Sequence, residues 1–293
     1  MLTSIARNLY SEKPDDLLYH YTGYQALLGI SSSFELWATD IHYFNDSSEL
    51  AYAVDIFCSV LASDEIRLVH QTELLQQLHQ WLKQRLADGH MIFVVCFSED
   101  GNLLSQWRSY TPHGNGISLG FDPEFLCACA GTQGFRLARC IYDKEQQRKV
   151  AMQAIDTILK VALAKGAAPV SVSPSHQSYF PSFYEQELDL LSIAALFKNP
   201  AFAAEREWRA VSPVLPNYVE NPARYRAGRT TLIPYKPFLI RIDSESSIQV
   251  QRVYLGPTPV NNLAMNALST FLSSNGMNPK DGLRTSCLPY RET

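Results

Sequence analysis

The sequence predicts an α+β protein of one domain spanning residues 1–293, and three stretches carry that reading. The first is Leu17-Leu18-Tyr19-His20-Tyr21-Thr22-Gly23, an alternating strand that runs straight into a helix. The second is Met91–Ser98, apolar on both faces and so expected at the centre of a sheet. The third is a pair of long helical patterns over residues 64–88 and 144–165. No composition shift, repeat or low-complexity tract divides the chain.

In the opening strand, Leu17, Tyr19 and Tyr21 share one face, and Leu18 and His20 the other. Thr22 with Gln25 three residues on spells a capping box, and Tyr24, Leu27, Leu28 and Ile30 supply an apolar helical stripe. His20 therefore ends a buried strand beside a helix N-terminus, where anionic groups are favoured. It reads either as a core histidine bonded to a neighbouring carbonyl or as part of a site for a flat heteroaromatic ligand.

Phe34–Thr39 is a second strand, and Asp46 with Glu49 a second capping box opening a helix over Leu50, Val54, Phe57 and Val60. Tyr43, Phe44 and Asn45 form a loop that could act as a ligand lip. Residues 64–88 make a long amphipathic helix ended by Gly89. After the central strand, Trp107, Arg108 and Tyr110 offer stacking, a guanidinium fork and a hydroxyl. The structural alternative packs Trp107 beneath the sheet and pairs Arg108 with a surface acid. His113–Gly116 is a turn, Ile117–Phe121 a strand, Pro123 opens a short helix, and Phe135–Asp143 is a strand. Ala167–His176 is a Pro/Ser-rich excursion and Tyr179–Phe197 is helical.

Lys198-Asn199-Pro200 is a loop, followed by a strand entered by Glu205-Arg206-Glu207. Carboxylates two apart on a strand point the same way, about 7 Å from each other. Such a pair is unfavourable unless a cation fills the gap. Arg209 on the same face could do so, as an ion-pair ladder, and so could the positive charge of a reacting sugar. Beyond an irregular stretch at 216–229, strands are expected at 231–234, 238–242, 248–255 and 284–288, with a helix at 260–273.

Composition narrows the class. A hydrophobic fraction of 46% describes a chain with a full core, and a net charge of -4 gives no global field for nucleic acid or anionic membrane. Cys58, Cys96, Cys127, Cys129, Cys140 and Cys287 are scattered, without the pairs and histidine of a zinc site. No signal-peptide pattern or membrane-length apolar run is visible, so a cytoplasmic protein with no membrane partner is expected.

Several landmarks together resemble an uncharacterised bacterial family, a domain of unknown function. They are His20-Tyr21-Thr22, Asn45-Asp46 with Glu49, Cys96-Phe97-Ser98-Glu99, Gln106-Trp107-Arg108 with Tyr110, Glu207-Trp208-Arg209 and Leu255-Gly256-Pro257. The order of His20, a central-strand serine and Glu-x-Glu also resembles, more distantly, the ADP-ribosyltransferase superfamily and its DNA-modifying toxin branch. That resemblance implies a split, mixed or antiparallel sheet with helical inserts near 64–88 and 144–197. It implies NAD as substrate, with His20 orienting the ribose, Ser98 or Tyr43 near the nicotinamide, Glu207 steadying the oxocarbenium ion and Glu205 engaging an acceptor. Tyr21, Thr22, Asn45, Trp107, Arg108 and Tyr110 complete the expected NAD site, and no metal is expected. A toxin or phage-defence setting follows from the resemblance alone; the acceptor could be nucleic acid, protein or water. The spacing from His20 to Glu207 is longer than the superfamily pattern, and no Ser-Thr-Ser triplet is present. Two other classes remain: a non-catalytic nucleotide- or protein-sensing module, and a metal-dependent nuclease using Asp46, Glu49, Glu205 and Glu207.

Overall fold

The computed structural model describes residues 2–44, 49–86, 90–111, 115–170, 173–215, 222–228, 230–243, 248–286 and 288. Its architecture is mixed α/β, built on a ten-stranded mixed sheet. The strand order β12-β11-β4-β1-β3-β2-β10-β9 carries β8 and β5 as a branch from β3.

The centre is β3 (Phe93–Ser98), which matches the apolar run picked out in the sequence. One edge of β3 pairs antiparallel with β8 (Glu207–Val211) along its length, from Val94↔Val211 to Ser98↔Glu207. Its other edge is shared. Thr39 and Asp40 of β2 (Glu35–Asp40) pair with its first residues, and Tyr19 of β1 (Leu18–Thr22) pairs with Ser98 at its end. Between those two contacts the sheet is open, so β1 and β2 diverge around the middle of β3. The outer strands are β4 (Ile117–Phe121), β11 (Arg252–Leu255) and β12 (Leu283–Thr285) on one side, and β10 (Leu232–Leu239) and β9 (Arg224–Ala227) on the other. The β11–β12 pair is parallel. On the branch, β8 also pairs with β5 (Arg136–Arg139).

Alternation along the central strands divides the interior into two cores. Val94, Ala138 and Val211 face one, with α1 (Leu2–Leu9), α3 (Glu49–Leu61), α8 (Lys144–Lys165) and α10 (Glu187–Ala194) packed there. Phe93, Val95, Phe97, Trp208 and Ala210 face the other, under α2 (Tyr24–Ser33), α7 (Pro123–Thr132) and α11 (Asn261–Ser274). Both predicted helical inserts fall on the first core.

Local chemistry accounts for the boundaries. Asp122 and Asp143 accept from backbone N–H groups at the starts of α7 and α8, and Gly166, with φ +71°, ends α8. Several expectations need correction. Thr22 stays in β1, paired with Ile117, so Gly23 takes the N-cap position and no side chain caps α2. The 64–88 helix is broken into α4 (Asp64–Arg67), α5 (Thr72–Trp81) and a π-helical turn over Leu82–Leu86. At the break, Leu68 and Val69 are 84% and 74% exposed, so no packing holds a helix through them. The 179–197 helix is likewise two pieces, α9 (Phe180–Tyr184) and α10. Ala168–Val170 and Ser173–Ser178 pair as a small two-stranded sheet (β6 and β7) where a loose excursion was expected. The two short strands near 231–242 are one strand, β10, with Pro237 paired opposite Trp37. The Asp46 cap lies outside the described residues.

α6 (Leu104–Tyr110) packs against β1, with Trp107 clustered on Tyr19 and Tyr21. Tyr19 is wedged in turn against glycine. A Cβ at Gly120 would lie 2.6 Å from a Tyr19 ring carbon and 3.1 Å from the Arg252 carbonyl oxygen. We expect Gly120→Ala to cost about 1–3 kcal/mol of stability, the usual penalty of overpacking. Urea melts measure it, and an unchanged midpoint would mean that the Tyr19 ring yields freely.

Candidate functional site

Where β1 and β2 diverge, the middle of β3 has no strand on that edge. The Cys96 carbonyl faces the gap and takes a hydrogen bond of 3.0 Å from His20 Nδ1. A carbonyl only accepts, so Nδ1 carries the hydrogen, and the lone pair of the neutral ring is on Nε2. Burial holds the imidazole below its ordinary range, partly offset by the bond to Cys96. His20 is therefore a neutral ring presenting an acceptor. Its two sequence readings are compatible: one ring nitrogen serves the sheet, and the side chain still lines a pocket.

That pocket is lined by Tyr19, His20, Tyr21, Cys96, Phe97, Gln106, Tyr110 and Glu207, and has a free volume of about 50 Å³. His20 and Glu207 thus meet across 187 residues of sequence. Glu207 opens β8 with its backbone fixed on both sides: its N–H donates to the Tyr142 hydroxyl, and its carbonyl accepts from the Cys140 N–H.

Behind Glu207 lies a buried ionic cluster. Arg209 Nε donates to Glu207 Oε1 at 2.6 Å, a second guanidinium nitrogen to Glu49 Oε2 at 2.6 Å, and a third to the Ala195 carbonyl at 2.7 Å. Lys198 Nζ binds Glu207 Oε2 and lies 2.7 Å from Glu205 Oε2 and 3.7 Å from Glu49 Oε1. The Lys198 backbone is held by Ile141 and by the Gln147 amide, which donates to its carbonyl at 2.8 Å. Three carboxylates thus face two cations, and all five side chains are at least nine-tenths buried.

Burial alone would raise Glu207, but Arg209 and Lys198 override it and depress the carboxyl to about 2. Glu205, held by Lys198 alone, goes the other way: burial dominates and raises it. Burial opposes the charge on Lys198, but the carboxylates outweigh it and keep the ammonium protonated. Cys96 is raised by burial and by Glu207, so it is a thiol and not a nucleophilic thiolate. Tyr110 is raised by burial and then by Glu207, and stays a hydroxyl donor. The pocket therefore presents a fixed negative charge, an imidazole acceptor and a phenol donor.

Of the residues singled out in the sequence, His20, Tyr21, Tyr110 and Glu207 line this pocket. Glu205 is one step behind it. It is not on a strand: it ends a 3-10 turn over Pro200–Glu205, and Arg206 has left-handed φ of 43° before β8 begins. The two carboxylates converge through that kink and the shared Lys198, not through strand geometry. Ser98 is structural, donating to the Glu205 carbonyl at 2.7 Å. Trp107 is fully buried, its indole N–H bonded to Asn102, so it underlies the site and offers no stacking face. The Tyr21 hydroxyl is spent on the 100–103 turn, donating to the Asp100 carbonyl and accepting from the Leu103 N–H. Thr22, Tyr43 and Arg108 are not in the lining, and Asn45 lies outside the described residues.

Sequence reasoning missed Lys198, Gln106 and Cys96 as members of the site, and read Glu49 as a helix cap or, in the nuclease alternative, as a metal ligand. Lys198 follows the apolar run 193–197 directly, and a lysine so placed is a mild signal of a buried cation. The metal alternative fares differently from its expectation. Glu49, Glu205 and Glu207 do assemble, but around the Lys198 ammonium, and among the described residues no set of three or more His, Cys, Asp or Glu is arranged to hold a metal ion. Among those residues, too, no helix is long and apolar enough to cross a membrane.

A family model described as "Protein of unknown function (DUF2971)" matches residues 106–210, about a third of the chain. The match supports an uncharacterised domain family. It runs from Gln106 to the residue after Arg209, so it includes Tyr110, Lys198, Glu205 and Glu207 but leaves out β1 and His20. No curated protein matches the chain, and no solved structure does.

Two outcomes follow from the cluster. Arg209→Met strands Glu207 and Glu49 as buried, half-paired charges, and should cost about 3–5 kcal/mol in denaturant melts. For pH, the folded value of Glu207 near 2 lies below its ordinary 4.5. Its contribution, on the order of 3 kcal/mol, is complete above the ordinary value and is lost as pH falls toward the folded one. Glu205, raised, acts with the opposite sign and weakens the native state as pH rises through its titration. Stability should therefore drop steeply toward about pH 3 in the wild type and less steeply in Glu207→Gln. Parallel slopes for the two proteins would refute the assignment.

Proposed function

We propose that the pocket is the reacting end of an NAD-consuming site, acting as an ADP-ribosyltransferase or NAD glycohydrolase. The observation that carries the reading is the convergence of His20 and Glu207 on one pocket. The bond between the ribose C1′ and the nicotinamide nitrogen breaks, and its electron pair leaves with neutral nicotinamide. Positive charge builds on the ribose, and the ionised Glu207 carboxylate stabilises that charge more in the transition state than in the ground state. The His20 Nε2 lone pair accepts from a ribose hydroxyl and fixes the ring. Water or another nucleophile then bonds to C1′ and gives up its proton, and Glu205, one step behind the pocket with its carboxyl raised by burial, receives it.

The volume of about 50 Å³ sets a limit. It admits the hydroxyl edge of a ribose, and the rest of the dinucleotide lies beyond the rim that Tyr110, 39% exposed, forms. A second reading, a non-catalytic module that senses a nucleotide, is favoured by one observation: both oxygens of Glu207 are already held by cations.

Purified protein incubated with NAD separates the two. We expect nicotinamide release insensitive to EDTA, reduced at least about 100-fold in Glu207→Gln and clearly weakened in His20→Gln. Because Glu207 also supports the cluster, each variant is assayed below its own melting temperature, with its circular dichroism checked. Intact NAD after prolonged exposure would end the enzymatic reading. NAD-independent, EDTA-sensitive cleavage of nucleic acid would select the nuclease class instead.

A further inference from the structure

A second cavity lies away from the one that His20 lines. It occupies about 460 Å³, within the roughly 300–1,000 Å³ of small-molecule sites. Its walls are Phe135, Leu215 and the three prolines Pro213, Pro222 and Pro237, a rigid apolar surface. Ser212, also in the lining, follows the last residue of β8 and so lies at the opposite end of that strand from Glu207. At about 3.3 Å per residue the two are roughly 17 Å apart.

The polar groups of this cavity fall into two kinds. Those of Ser212 and Gln133 are consumed by the fold. The Ser212 hydroxyl accepts from the Phe93 N–H and donates to the Pro213 carbonyl, and the Gln133 amide clamps both the N–H and the carbonyl of Leu239. The cations are not consumed. Arg224 meets Glu35 through a single nitrogen, at 3.1 and 3.3 Å, and among the described residues no other carboxylate pairs with the rest of its fork. Lys236 has no ion-pair partner among the described residues. Its Nζ lies 6.0 Å from the centre of the Phe93 ring. Burial lowers its pKa, and among the described residues no neighbouring acid pulls it back. A partly desolvated cation facing an apolar cavity is an unbalanced charge that an anion would balance.

We propose that this cavity is a binding site for a small organic anion, a carboxylate, sulfonate or phosphate with an apolar or aromatic body. The acidic head pairs with Lys236 and with the free side of the Arg224 fork, and the body lies against Phe135 and the prolines. The site is independent of the His20 pocket: neither its residues nor its chemistry enter the reading given for Glu207.

The test uses the full chain and two fluorescent probes of similar shape, anilinonaphthalene sulfonate, which is anionic, and neutral N-phenylnaphthylamine. We expect one equivalent of the sulfonate to bind saturably to the native protein. Lys236→Met should weaken it at least tenfold, and Lys236→Arg should retain it, while the neutral probe binds more weakly and is indifferent to both changes. Melting temperatures verify folding, with Lys236→Gln as a second charge-neutral variant should the methionine variant melt early. The proposal is overturned by absence of saturable sulfonate binding, by binding unaffected when the ammonium is removed, or by equal affinity for the neutral probe.

Discussion

The buried cluster around Arg209 is the constraint from which the rest of the site takes its shape. One guanidinium, fully buried, joins the first residue of α3, the carbonyl of Ala195 beyond α10 and the start of β8. Lys198 adds the 3-10 turn ending at Glu205. Removing five charges from water is costly, and an apolar cluster of the same volume would commonly hold a protein together as well. What the ions provide is directional: each nitrogen accepts one geometry, so four separate segments are brought to one register. The cluster also fixes a permanent carboxylate at the pocket wall, with a charge that ordinary changes of pH leave untouched.

The second element is the divergence of the sheet. β3 gives one edge wholly to β8 and divides the other between β1 and β2. A gap in a sheet leaves backbone polar groups to be satisfied, and the His20 ring does this for the Cys96 carbonyl. A histidine engaged through Nδ1 is locked in tautomer and orientation, a common requirement for a ring that must present its other nitrogen to a ligand. The pocket is therefore a consequence of the strand topology, and its polarity a consequence of how the gap is filled.

The family match ends one residue past Arg209 and begins at Gln106, so it encloses the ionic cluster apart from Glu49 and omits the strand that bears His20. The part of the pocket built from α6 and β8, Gln106, Tyr110 and Glu207, belongs to the matched segment. The walls built from β1 and β3 do not, and β1 comes into register through the pairing of Tyr19 with Ser98 and the packing of Tyr21 on Trp107.

The sequence by itself determined most elements and the sides they bury. Periodicity found β1, β3, β4, α8 and α11, because a strand or helix that buries one face must repeat its apolar residues at the period of its backbone. It singled out His20, Glu205 and Glu207 by residue type and spacing. Only the tertiary structure decided that Arg206 would turn left-handed and take Glu205 off the strand, that Lys198 would sit between the carboxylates, and that Trp107 would be spent on the core. It also decided that the helix over 64–88 would break where nothing covers it. The physical reason is common to all four. A periodic pattern records what one segment needs from its own backbone, whereas a buried charge pair, a filled gap or an uncovered turn depends on which distant segment arrives opposite.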